Sequence, residues 1–448
     1  MENKIKIPET VKDILIKLNE NSFQAFVVGG CVRDFLLGRT PKDWDICTDA
    51  TPNEVKTVFE GEKIIDTGLK HGTVSLLRNN VPYEITTFRT DGNYTDGRHP
   101  DNVQYVKTLK EDLFRRDFTI NAMAADRDGN IIDYNGGLKD LEHMKIRCVG
   151  NPNDRFREDS LRILRALRFA ARYRFDISCS TKNAIHQNKK LLNNISQERI
   201  TTEFRQIIRF ADKKLLLEFA DIIEIVIPEI GKCRGFKQNN PHHIYDVYEH
   251  IVTSVDTNIF SEPIRLALLF HDIGKPYTYV EDEKGIGHFP KHAIIGAEMV
   301  NKIMKRMRFD NKTIDEVILL IKNHDITITP SLPFARRILR RLGVDQTLDL
   351  LEVIWHDKTA QSNNPDRDKT LKDIITLDRY IEQVLDEQNC LTIKDLAING
   401  NDLKEIGIPE GPQIGKLLGL LLDFVIDNPE MNKKQVLLSQ LSRLNQRL

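Results

Sequence analysis

The stretch FVVGGCVRDFLLGRTPKDWDICTDA, residues 26–50, places an apolar run before two glycines and two closely spaced aspartates. The apolar run is typical of a strand, and Gly29 and Gly30 then precede a helical segment. At such a turn, backbone N–H groups without side chains can approach phosphate oxygens closely. Asp43 and Asp45 project to the same side of an extended chain, with the tryptophan between them turned into the sheet. The stretch therefore predicts a strand, a phosphate-binding turn and a carboxylate pair that holds a cation.

Magnesium is the cation that this pattern favours. It binds carboxylates together with substrate phosphates, and a pair of such ions can activate an attacking hydroxyl and stabilise a leaving pyrophosphate. Glu84, on the neighbouring strand of a predicted hairpin, is the best placed third carboxylate. A D-x-D pair alone is common at solvated edges and turns, and a Gly-Gly pair is also unspecific. The prediction depends on their combination within residues 26–50.

Length and composition limit the possible functions. A chain of 448 residues with 40% hydrophobic residues suggests roughly two to four domains. The 65 basic and 66 acidic side chains give a net charge of −1, so local basic patches would have to hold any nucleic acid. The six scattered cysteines argue against a zinc site or a disulfide framework and favour a reducing cytoplasm. The N-terminus lacks a signal-peptide core, and LLGLLLDFVI is too short to span a membrane, so we expect a soluble protein.

The pattern of elements changes near residue 150. Before it, short apolar strands alternate with helical segments, including a hairpin at Asn79-Asn80 and a helix capped by Thr51. After it, apolar residues recur almost throughout at helical spacing. The segment 89–104, rich in Gly, Asp and Asn, is typical of a mobile loop. We therefore expect an α+β chain, with a small sheet domain followed by helical domains.

A second cluster lies in EDLFRRDFTINAMAAD, residues 111–126. Arg115, Arg116 and Asp117 precede a helical segment that carries Asn121 among small residues. An arginine pair with an asparagine can bind triphosphate oxygens and ribose hydroxyls. A charged helix N-terminus with an ordinary cap fits the same pattern, and the residues alone leave both interpretations open.

A third cluster, RFREDSLRILRALRFAARYRF, is rich in arginine and is predicted to form one helix. In such a helix Asp159 and Arg162 lie on a common face, with Glu158 beside them and Arg165 one turn further on. An aspartate that accepts and an arginine that donates can bind the hydrogen-bonding edge of a base, so the protein would take the place of a nucleic-acid template. An ion pair between residues three apart on a solvated helix is the alternative.

These motifs occur in an order that resembles the class II tRNA nucleotidyltransferases, the CCA-adding enzymes of the polymerase-β-like superfamily. The resemblance is carried by GGCVRDFLLGRTPKDWDICT, RRDFTINAMA, IIDYNGGLKDLE, the arginine-rich cluster and ERITTEF. It implies addition of C, C and A to the 3′ end of tRNA from CTP and ATP without a nucleic-acid template. It also implies a polymerase-β-like nucleotidyltransferase head with a small mixed sheet, followed by an all-α neck, body and tail.

The resemblance also assigns roles to single residues. Asp43 and Asp45 would bind catalytic Mg²⁺, with Glu84 as the third carboxylate. The residues that would contact the nucleotide are Gly29, Gly30 and Arg33 for the triphosphate, Arg116, Asp117 and Asn121 for ribose and triphosphate, and Glu158, Asp159 and Arg162 for the base, with Arg165 nearby. The segment 89–104 resembles the loop of enzymes that add the terminal A, and the basic C-terminal extension of bacterial poly(A) polymerases is missing. Full CCA addition is favoured, with A-only addition or poly(A) synthesis as alternatives.

The second half of the chain resembles the HD-domain phosphohydrolases, with the H…HD…D pattern and two additional histidines. The candidate ligands are His250, His271, Asp272, His292, His324 and Asp357. Imidazole together with carboxylate suits a transition metal such as Mn²⁺, Ni²⁺, Co²⁺ or Fe. One alternative is a domain retained for packing only. Another is a protein whose main activity is HD phosphohydrolysis, with the head serving as a nucleotide- or tRNA-binding module.

The complete prediction is a cytoplasmic CCA-adding nucleotidyltransferase that binds tRNA, CTP and ATP, contacts no membrane and carries an HD domain. A further arginine run, RRILRR at 336–341, is expected to grip phosphates. The expected domains are a head at 1–150, a neck at 151–235, an HD domain at 236–360 and a tail at 361–448.

Overall fold

The computed structural model describes residues 4–91, 103–240, 244–255, 261–387 and 390–444. The chain forms two compact units, Met1–Pro228 and Glu229–Leu448. The first combines a sheet with helices, and the second is largely helical. The α+β prediction is therefore confirmed. Most of the predicted loop, residues 92–102, lies outside the described residues.

The first unit contains several short strands, most of which belong to one sheet. They are β1 (Ala25–Val28), β2 (Ile46–Thr48), β3 (Lys63–Gly68), β4 (Thr73–Arg78), β5 (Val81–Thr87), β6 (Arg89–Asp91), β7 (Val103–Tyr105), β8 (Met123–Ala125), β9 (Ile131–Asp133), β10 (Lys145–Ile146) and β11 (Asp176–Ile177). Seven of them form a mixed sheet in the order β3-β4-β5-β2-β1-β8-β9. Strands β2 and β5 pair in parallel, whereas the other neighbours in this sheet are antiparallel. The strands β6 and β7, which include the two ends of the predicted loop 89–104, pair with each other.

Helices surround this sheet and continue beyond it. They are α1 (Glu9–Glu20), α2 (Gly30–Leu36), α3 (Pro52–Val58), α4 (Leu109–Phe114), α5 (Gly137–Glu142), α6 (Pro152–Glu158), α7 (Arg162–Tyr173), α8 (Cys179–Asn188), α9 (Gln197–Phe210), α10 (Lys213–Glu218) and α11 (Ala220–Val226). Thr51 and Glu54 exchange hydrogen bonds at the start of α3, which confirms the predicted cap. Asn79 and Asn80, with φ of 51° and 62°, form the predicted turn between β4 and β5.

The arginine-rich segment forms two helices rather than the single helix predicted. Helix α6 ends at Glu158, and α7 begins at Arg162. Between them Asp159 is extended, with φ −139° and ψ 102°, and its carboxylate accepts the N–H of Leu161 at 3.1 Å. The break forms because an aspartate side chain can bind nearby backbone groups in place of the helical partner. Asp159 and Arg162 therefore do not share a face of one continuous helix.

The second unit consists mainly of helices, with one short hairpin. The helices are α12 (Val247–Ser254), α13 (Glu262–Phe270), α14 (Lys275–Thr278), α15 (His292–Arg306), α16 (Asn311–Asn323), α17 (Leu332–Leu342), α18 (Val344–Thr359), α19 (Pro365–Asp386), α20 (Gly400–Glu405), α21 (Pro412–Asp427) and α22 (Lys434–Leu444), and the hairpin strands are β12 (Val280–Glu281) and β13 (Gly287–His288). Within the described residues, none of the helices is long and apolar enough to cross a lipid bilayer.

The arginine run 336–341 contacts other residues of its own unit. Arg336 is buried and donates to the C=O of Ile426 at 2.7 Å. Arg340 forms an ion pair with Asp423 of α21. These contacts tie α17 to α21, and the expectation that this run grips phosphates stays a prediction.

Candidate active site and metal centre

Asp45, which immediately precedes β2, and Glu84 of β5 lie next to a matched pair of residues in the sheet. Ile46 of β2 pairs with Ile85 of β5 in the parallel ladder. The residue before each isoleucine therefore lies on the same face of the sheet, and adjacent strands are about 4.8 Å apart. The two isoleucines themselves are buried on the opposite face. The register therefore places Asp45 near Glu84, consistent with the effect of Asp45 on the pKa of Glu84.

Asp43 and Asp45 lie just before β2 and not within a strand, as we had expected. The pairing of β2 with β5 begins only at Ile46, so the preceding residues are not held on both sides. The C=O of Asp45 nevertheless accepts the N–H of Val28 at 3.0 Å, which fixes Asp45 against β1. Both aspartates and Glu84 have solvent-exposed side chains.

The three carboxylates influence one another electrostatically. Partial desolvation by neighbouring atoms raises the pKa of Asp45, Arg116 opposes this rise, and the charge of Asp43 adds to it. Desolvation likewise raises the pKa of Glu84, with Asp45 and then Asp43 adding to the effect. Carboxylates that disfavour each other's ionised form are stabilised by a shared cation. This electrostatic coupling and the oxygen donor set fit Mg²⁺.

Gly29 leaves room for an arginine beside the turn after β1. Its φ of 81° lies in the left-handed region, and a Cβ there would be 3.2 Å from Nη1 of Arg116. The other end of the Arg116 guanidinium contacts the buried carboxylate of Asp112, with Nη2 and Oδ2 3.2 Å apart. Arg116 also opposes the rise in the pKa of Asp45. Its guanidinium therefore lies near both the glycine turn and the carboxylates. Gly30 is the first residue of α2.

Arg33 is largely buried between α2 and α7. Its guanidinium hydrogen-bonds the side-chain oxygen of Asn121, pairs with Asp34 at 2.9 Å and lies 4.9 Å from the ring centroid of Tyr173. The hydroxyl of Tyr173 in turn donates to Asp34 at 2.9 Å. Arg33 therefore connects the glycine turn to the helical neck. Its predicted contact with the triphosphate remains a prediction.

Asp117 connects the second and third sequence clusters. Its carboxylate accepts from Arg165 of α7 at 2.6 Å and from the side-chain amide of Asn121 at 3.1 Å. Burial alone would raise the pKa of Asp117, but the Arg165 guanidinium outweighs it and the pKa falls to about 2. Asp117, Asn121 and Arg165 thus form one hydrogen-bonded group, which the sequence did not predict as a unit.

Replacing Asp117 by asparagine should make the first unit less sensitive to acid. With a pKa of about 2 in the fold and about 3.9 unfolded, ionised Asp117 stabilises the fold above pH about 4, and this stabilisation is lost as pH falls towards 2. Between pH about 5 and about 2, we expect the wild-type free energy of unfolding to fall by about 2 kcal/mol more than that of the variant. Urea titrations followed by Trp44 fluorescence in a Trp355→Phe background would measure it. Equal losses of unfolding free energy in the wild type and the variant would contradict the low pKa assigned to Asp117.

Within the E-D-x-x-R motif, the side chain of Arg162 pairs with Glu158 and not with Asp159. Arg162 donates to Glu158 at 2.7 Å and to the backbone carbonyl of Arg115 at 3.2 Å. The Asp159 carboxylate accepts from Arg199 of α9 at 3.3 Å. Asp159 and Arg162 therefore do not form the simple ion pair that was the alternative. Both side chains are held in fixed positions at the break between α6 and α7.

Two residues in these networks were missed by the sequence analysis. Asp112 is 0% exposed and binds both Arg115 and Arg116, so it orients the arginine pair. Arg199 fixes Asp159. The signal for Asp112 was an acidic residue three and four positions before two arginines on a short helix. Arg199 lies in the quoted segment ERITTEF, but nothing local in that segment indicates its distant partner.

In the second unit, the six predicted HD residues converge in two groups that share one carboxylate. The first group is His250, His271, Asp272 and Asp357, and the second is Asp272, His292 and His324. In each group the potential ligand atoms lie within 4.8 Å of one another, and the residues are buried. The structure thus brings all six predicted residues together.

Backbone carbonyls orient three of these imidazoles. The Nδ1 atoms of His271, His292 and His324 lie 2.8, 2.9 and 2.7 Å from backbone carbonyl oxygens. Such contacts place the proton on Nδ1 and leave Nε2 as a lone-pair donor. Burial lowers the pKa of His324 to about 3, which favours its neutral form. Neutral imidazoles and ionised carboxylates are the donor set of a transition metal, so the residues present fit such an ion.

Three family models match separate parts of the chain. They are the poly A polymerase head domain at residues 25–147, the probable RNA- and SrmB-binding site of polymerase A at 174–232 and the HD domain at 241–373. The first covers the sheet with the three carboxylates, and the last covers the two metal-ligand groups.

Full-length relatives and solved structures resemble the chain over most of its length. The CCA-adding enzyme of Pediococcus pentosaceus is 34% identical, over 97% of this chain and 98% of its own. That of Lactobacillus johnsonii is 36% identical, over 93% of this chain and 94% of its own. The crystal structure of the Bacillus stearothermophilus CCA-adding enzyme in complex with CTP is 29% identical, with a TM-score of 0.69 over 98% of both chains. The Thermotoga maritima CCA-adding enzyme complexed with tRNA shares the fold, with a TM-score of 0.62 at 22% identity.

Proposed function

Because the chain belongs to the family of CCA-adding enzymes, we propose that its first unit adds C, C and A to the 3′ end of tRNA, using CTP and ATP. The main support from this chain is the strand register that sets Asp45 beside Glu84, with Asp43 two residues before Asp45. In this reaction the terminal 3′-hydroxyl of tRNA attacks the α-phosphorus of the nucleotide, and pyrophosphate leaves. We also infer a cytoplasmic location, which the six unpaired cysteines support.

The three carboxylates would hold Mg²⁺ in this unit. Bound Mg²⁺ would supply the charge that activates the hydroxyl and stabilises the leaving pyrophosphate. Around it, Arg116 carries positive charge next to the glycine turn, where the triphosphate of the nucleotide would bind. Arg33 and Asn121 support the same turn through their mutual hydrogen bond. We assign Asp117 to the ribose side of the nucleotide.

Glu158, Asp159, Arg162 and Arg165 would select the base. Asp159 offers acceptor oxygens and Arg162 offers donors, and together these can match the hydrogen-bonding edge of cytosine or adenine. Each of the two side chains is anchored by a neighbouring charged side chain, Arg199 for Asp159 and Glu158 for Arg162. Anchoring supports selectivity. A base-binding group that cannot move is left without a hydrogen-bond partner when the wrong base binds, and this makes binding of the wrong base less favourable.

Replacing Arg162 by alanine should damage nucleotide choice more than general catalysis. A good bidentate base contact is worth about 1–3 kcal/mol of discrimination, so the preference for CTP over UTP should fall by about tenfold or more. The measurement is kcat/KM for each nucleotide with a tRNA that lacks its terminal CCA. Arg157→Ala is a matched control, since Arg157 is exposed on α6 and pairs only loosely with Asp154, at 3.5 Å. Wild-type preference in the Arg162 variant would contradict the template role.

The proposed reaction is tested by incubating the protein with labelled CTP or ATP and three tRNAs, which end in the discriminator base, in C or in CC. We expect C to be added to the first two and A to the last, followed by termination. Incorporation of A alone would indicate an A-adding enzyme. Long A tails would indicate a poly(A) polymerase. No incorporation on any of the tRNAs would refute the proposal.

We propose a second, metal-dependent phosphohydrolase activity for the HD residues. Two buried ligand groups that share Asp272 support it, together with the fixed imidazole orientations. A cavity of about 320 Å³ opens onto Asp272, His292, His324 and Asp357 and gives a phosphoester room to reach them. The bound ion, Mn²⁺, Ni²⁺, Co²⁺ or Fe, would supply a nucleophilic hydroxide and polarise the phosphate.

A further inference from the structure

The hairpin β12-β13 carries a histidine into the wall of the HD cavity. His288 lines the same cavity as Asp272, His292 and His324 but belongs to neither group of potential ligands. Its Nε2 lies 3.0 Å from Oδ2 of Asp282. In the described part of the chain, Nδ1 of His288 has no hydrogen-bond partner. The imidazole is thus held by one nitrogen and has the other available to a molecule in the cavity.

Contacts on both sides of the hairpin fix the position of His288. Gly287 donates its N–H to the C=O of Asn239 at 2.9 Å, and Asn240 donates to the C=O of Gly287 at 3.0 Å. A Cβ on Gly287 would lie 2.3 Å from the carbonyl oxygen of Gln238, so only glycine permits this close approach. Asp282 is fixed as well, because its Oδ1 accepts the backbone N–H of Ile286 at 2.9 Å. The histidine and its carboxylate partner are therefore pre-positioned by the fold.

The cavity is also lined by two lysines and a further aspartate, which are less suited than His288 to donating a proton. Lys275 lies 2.7 Å from Oδ2 of Asp272, and Lys358 lies 3.1 Å from Oδ2 of Asp357. Both lysines are thus paired with potential metal ligands, where a fixed positive charge can hold an anionic phosphate. Asp325 contributes a carboxylate. Histidine is the side chain that both gains and loses a proton near neutral pH.

We propose that His288 is the proton donor for the leaving group in phosphoester hydrolysis at the HD site. Water attacks phosphorus and forms the new P–O bond, while the bond to the ester oxygen breaks and its electron pair stays on that oxygen. Nδ1 of the imidazolium donates its proton to this oxygen, so the alcohol leaves neutral. The proton released by the attacking water passes to solvent, from which His288 is recharged. This inference rests on the proposed hydrolase function and adds a residue to it.

Esters with different leaving groups test the proposal in the full-length protein supplied with Mn²⁺. Bis(p-nitrophenyl) phosphate releases a stable anion that needs no proton, whereas diphenyl phosphate releases a more basic phenolate that does. General acid catalysis typically contributes about 10²- to 10⁴-fold. We therefore expect His288→Gln to lower kcat for diphenyl phosphate by about a hundredfold or more and kcat for the nitrophenyl ester by less than about fivefold. Lys284→Ala, in the turn of the same hairpin, is the matched control and should leave both rates unchanged.

Calorimetric binding of inorganic phosphate gives a readout that does not depend on turnover. If Nδ1 donates to a bound phosphate, binding should be accompanied by proton uptake, seen as a dependence of the binding heat on the ionisation enthalpy of the buffer. His288→Gln should abolish this dependence while still binding phosphate through the metal and lysines. Unchanged proton uptake in the variant would overturn the proposal.

The outcomes separate failure of this inference from failure of the hydrolase assignment. If the wild type hydrolyses the esters and His288→Gln slows both equally, His288 has only a structural role and the inference alone fails. If the wild type hydrolyses neither ester with Mn²⁺, Ni²⁺ or Co²⁺, the hydrolase function and the inference both fail.

Discussion

Replacement of Asp45 by alanine is expected to reduce transfer of both C and A by more than about a thousandfold. Metal ions contribute several kcal/mol to the stabilisation of a phosphoryl-transfer transition state, and about 4 kcal/mol corresponds to roughly a thousandfold in rate. Asp45 interacts electrostatically with both Asp43 and Glu84. Asp43→Ala should have a similar effect. The assay follows incorporation of labelled CTP into tRNA ending in the discriminator base and of ATP into tRNA ending in CC.

Binding of tRNA should be nearly unchanged in these variants, because the carboxylates act on the chemical step. Filter binding of labelled tRNA would show this and would exclude unfolding as the cause of the lost activity. Asp66→Ala is a suitable control, since Asp66 is an exposed carboxylate on β3 that pairs with Lys56. Comparable CTP incorporation by the Asp43→Ala/Asp45→Ala double variant would end the assignment of this site.

Changing His271 and Asp272 together to alanine should remove the hydrolytic activity and the bound transition metal. His271 belongs to the first ligand group and Asp272 belongs to both, so the double change removes a ligand from each group. The purified wild type should hydrolyse a 2′,3′-cyclic nucleotide when Mn²⁺, Ni²⁺ or Co²⁺ is supplied, and Mg²⁺ alone should serve poorly, since imidazole-rich sites favour softer ions. CCA addition should persist, because its proposed ligands lie in the other compact unit.

Both residues are buried, so loss of packing has to be separated from loss of ligands. Asp272→Asn keeps the shape of the side chain and should abolish metal binding with little change in the thermal unfolding of the protein. Asp345→Asn, an exposed acidic residue at the start of α18, should change neither property. If metal analysis finds no bound transition metal and the wild type shows no hydrolysis with any of the three ions, the domain is retained for packing only.

Features set by neighbouring residues were predictable from the sequence. The turn at Asn79-Asn80 and the cap formed by Thr51 and Glu54 depend on the chemistry of two to four residues, and both are confirmed. The convergence of the six HD residues was also anticipated, because the second half of the chain resembles the HD-domain phosphohydrolases. The pairing of Ile46 with Ile85 is different. Parallel strands far apart in the chain carry no local signal of their register.

The errors came from assuming that side chains act within their own segment. Helical periodicity continues through the arginine-rich cluster, and no Gly or Pro marks the break at Asp159, which a side-chain hydrogen bond produces. Within the run at 336–341, Arg340 pairs with Asp423, which is remote in sequence and cannot be identified from local charge patterns.

The shared position of Asp272 also has an evolutionary consequence. A single base substitution converts an aspartate codon into an asparagine codon, and at this position it would disable both ligand groups at once. The carboxylates assigned to CCA addition belong to the other compact unit, so selection on tRNA maturation would not oppose such a change. A lineage could therefore lose the second activity in one mutational step and keep the HD fold as an inert scaffold.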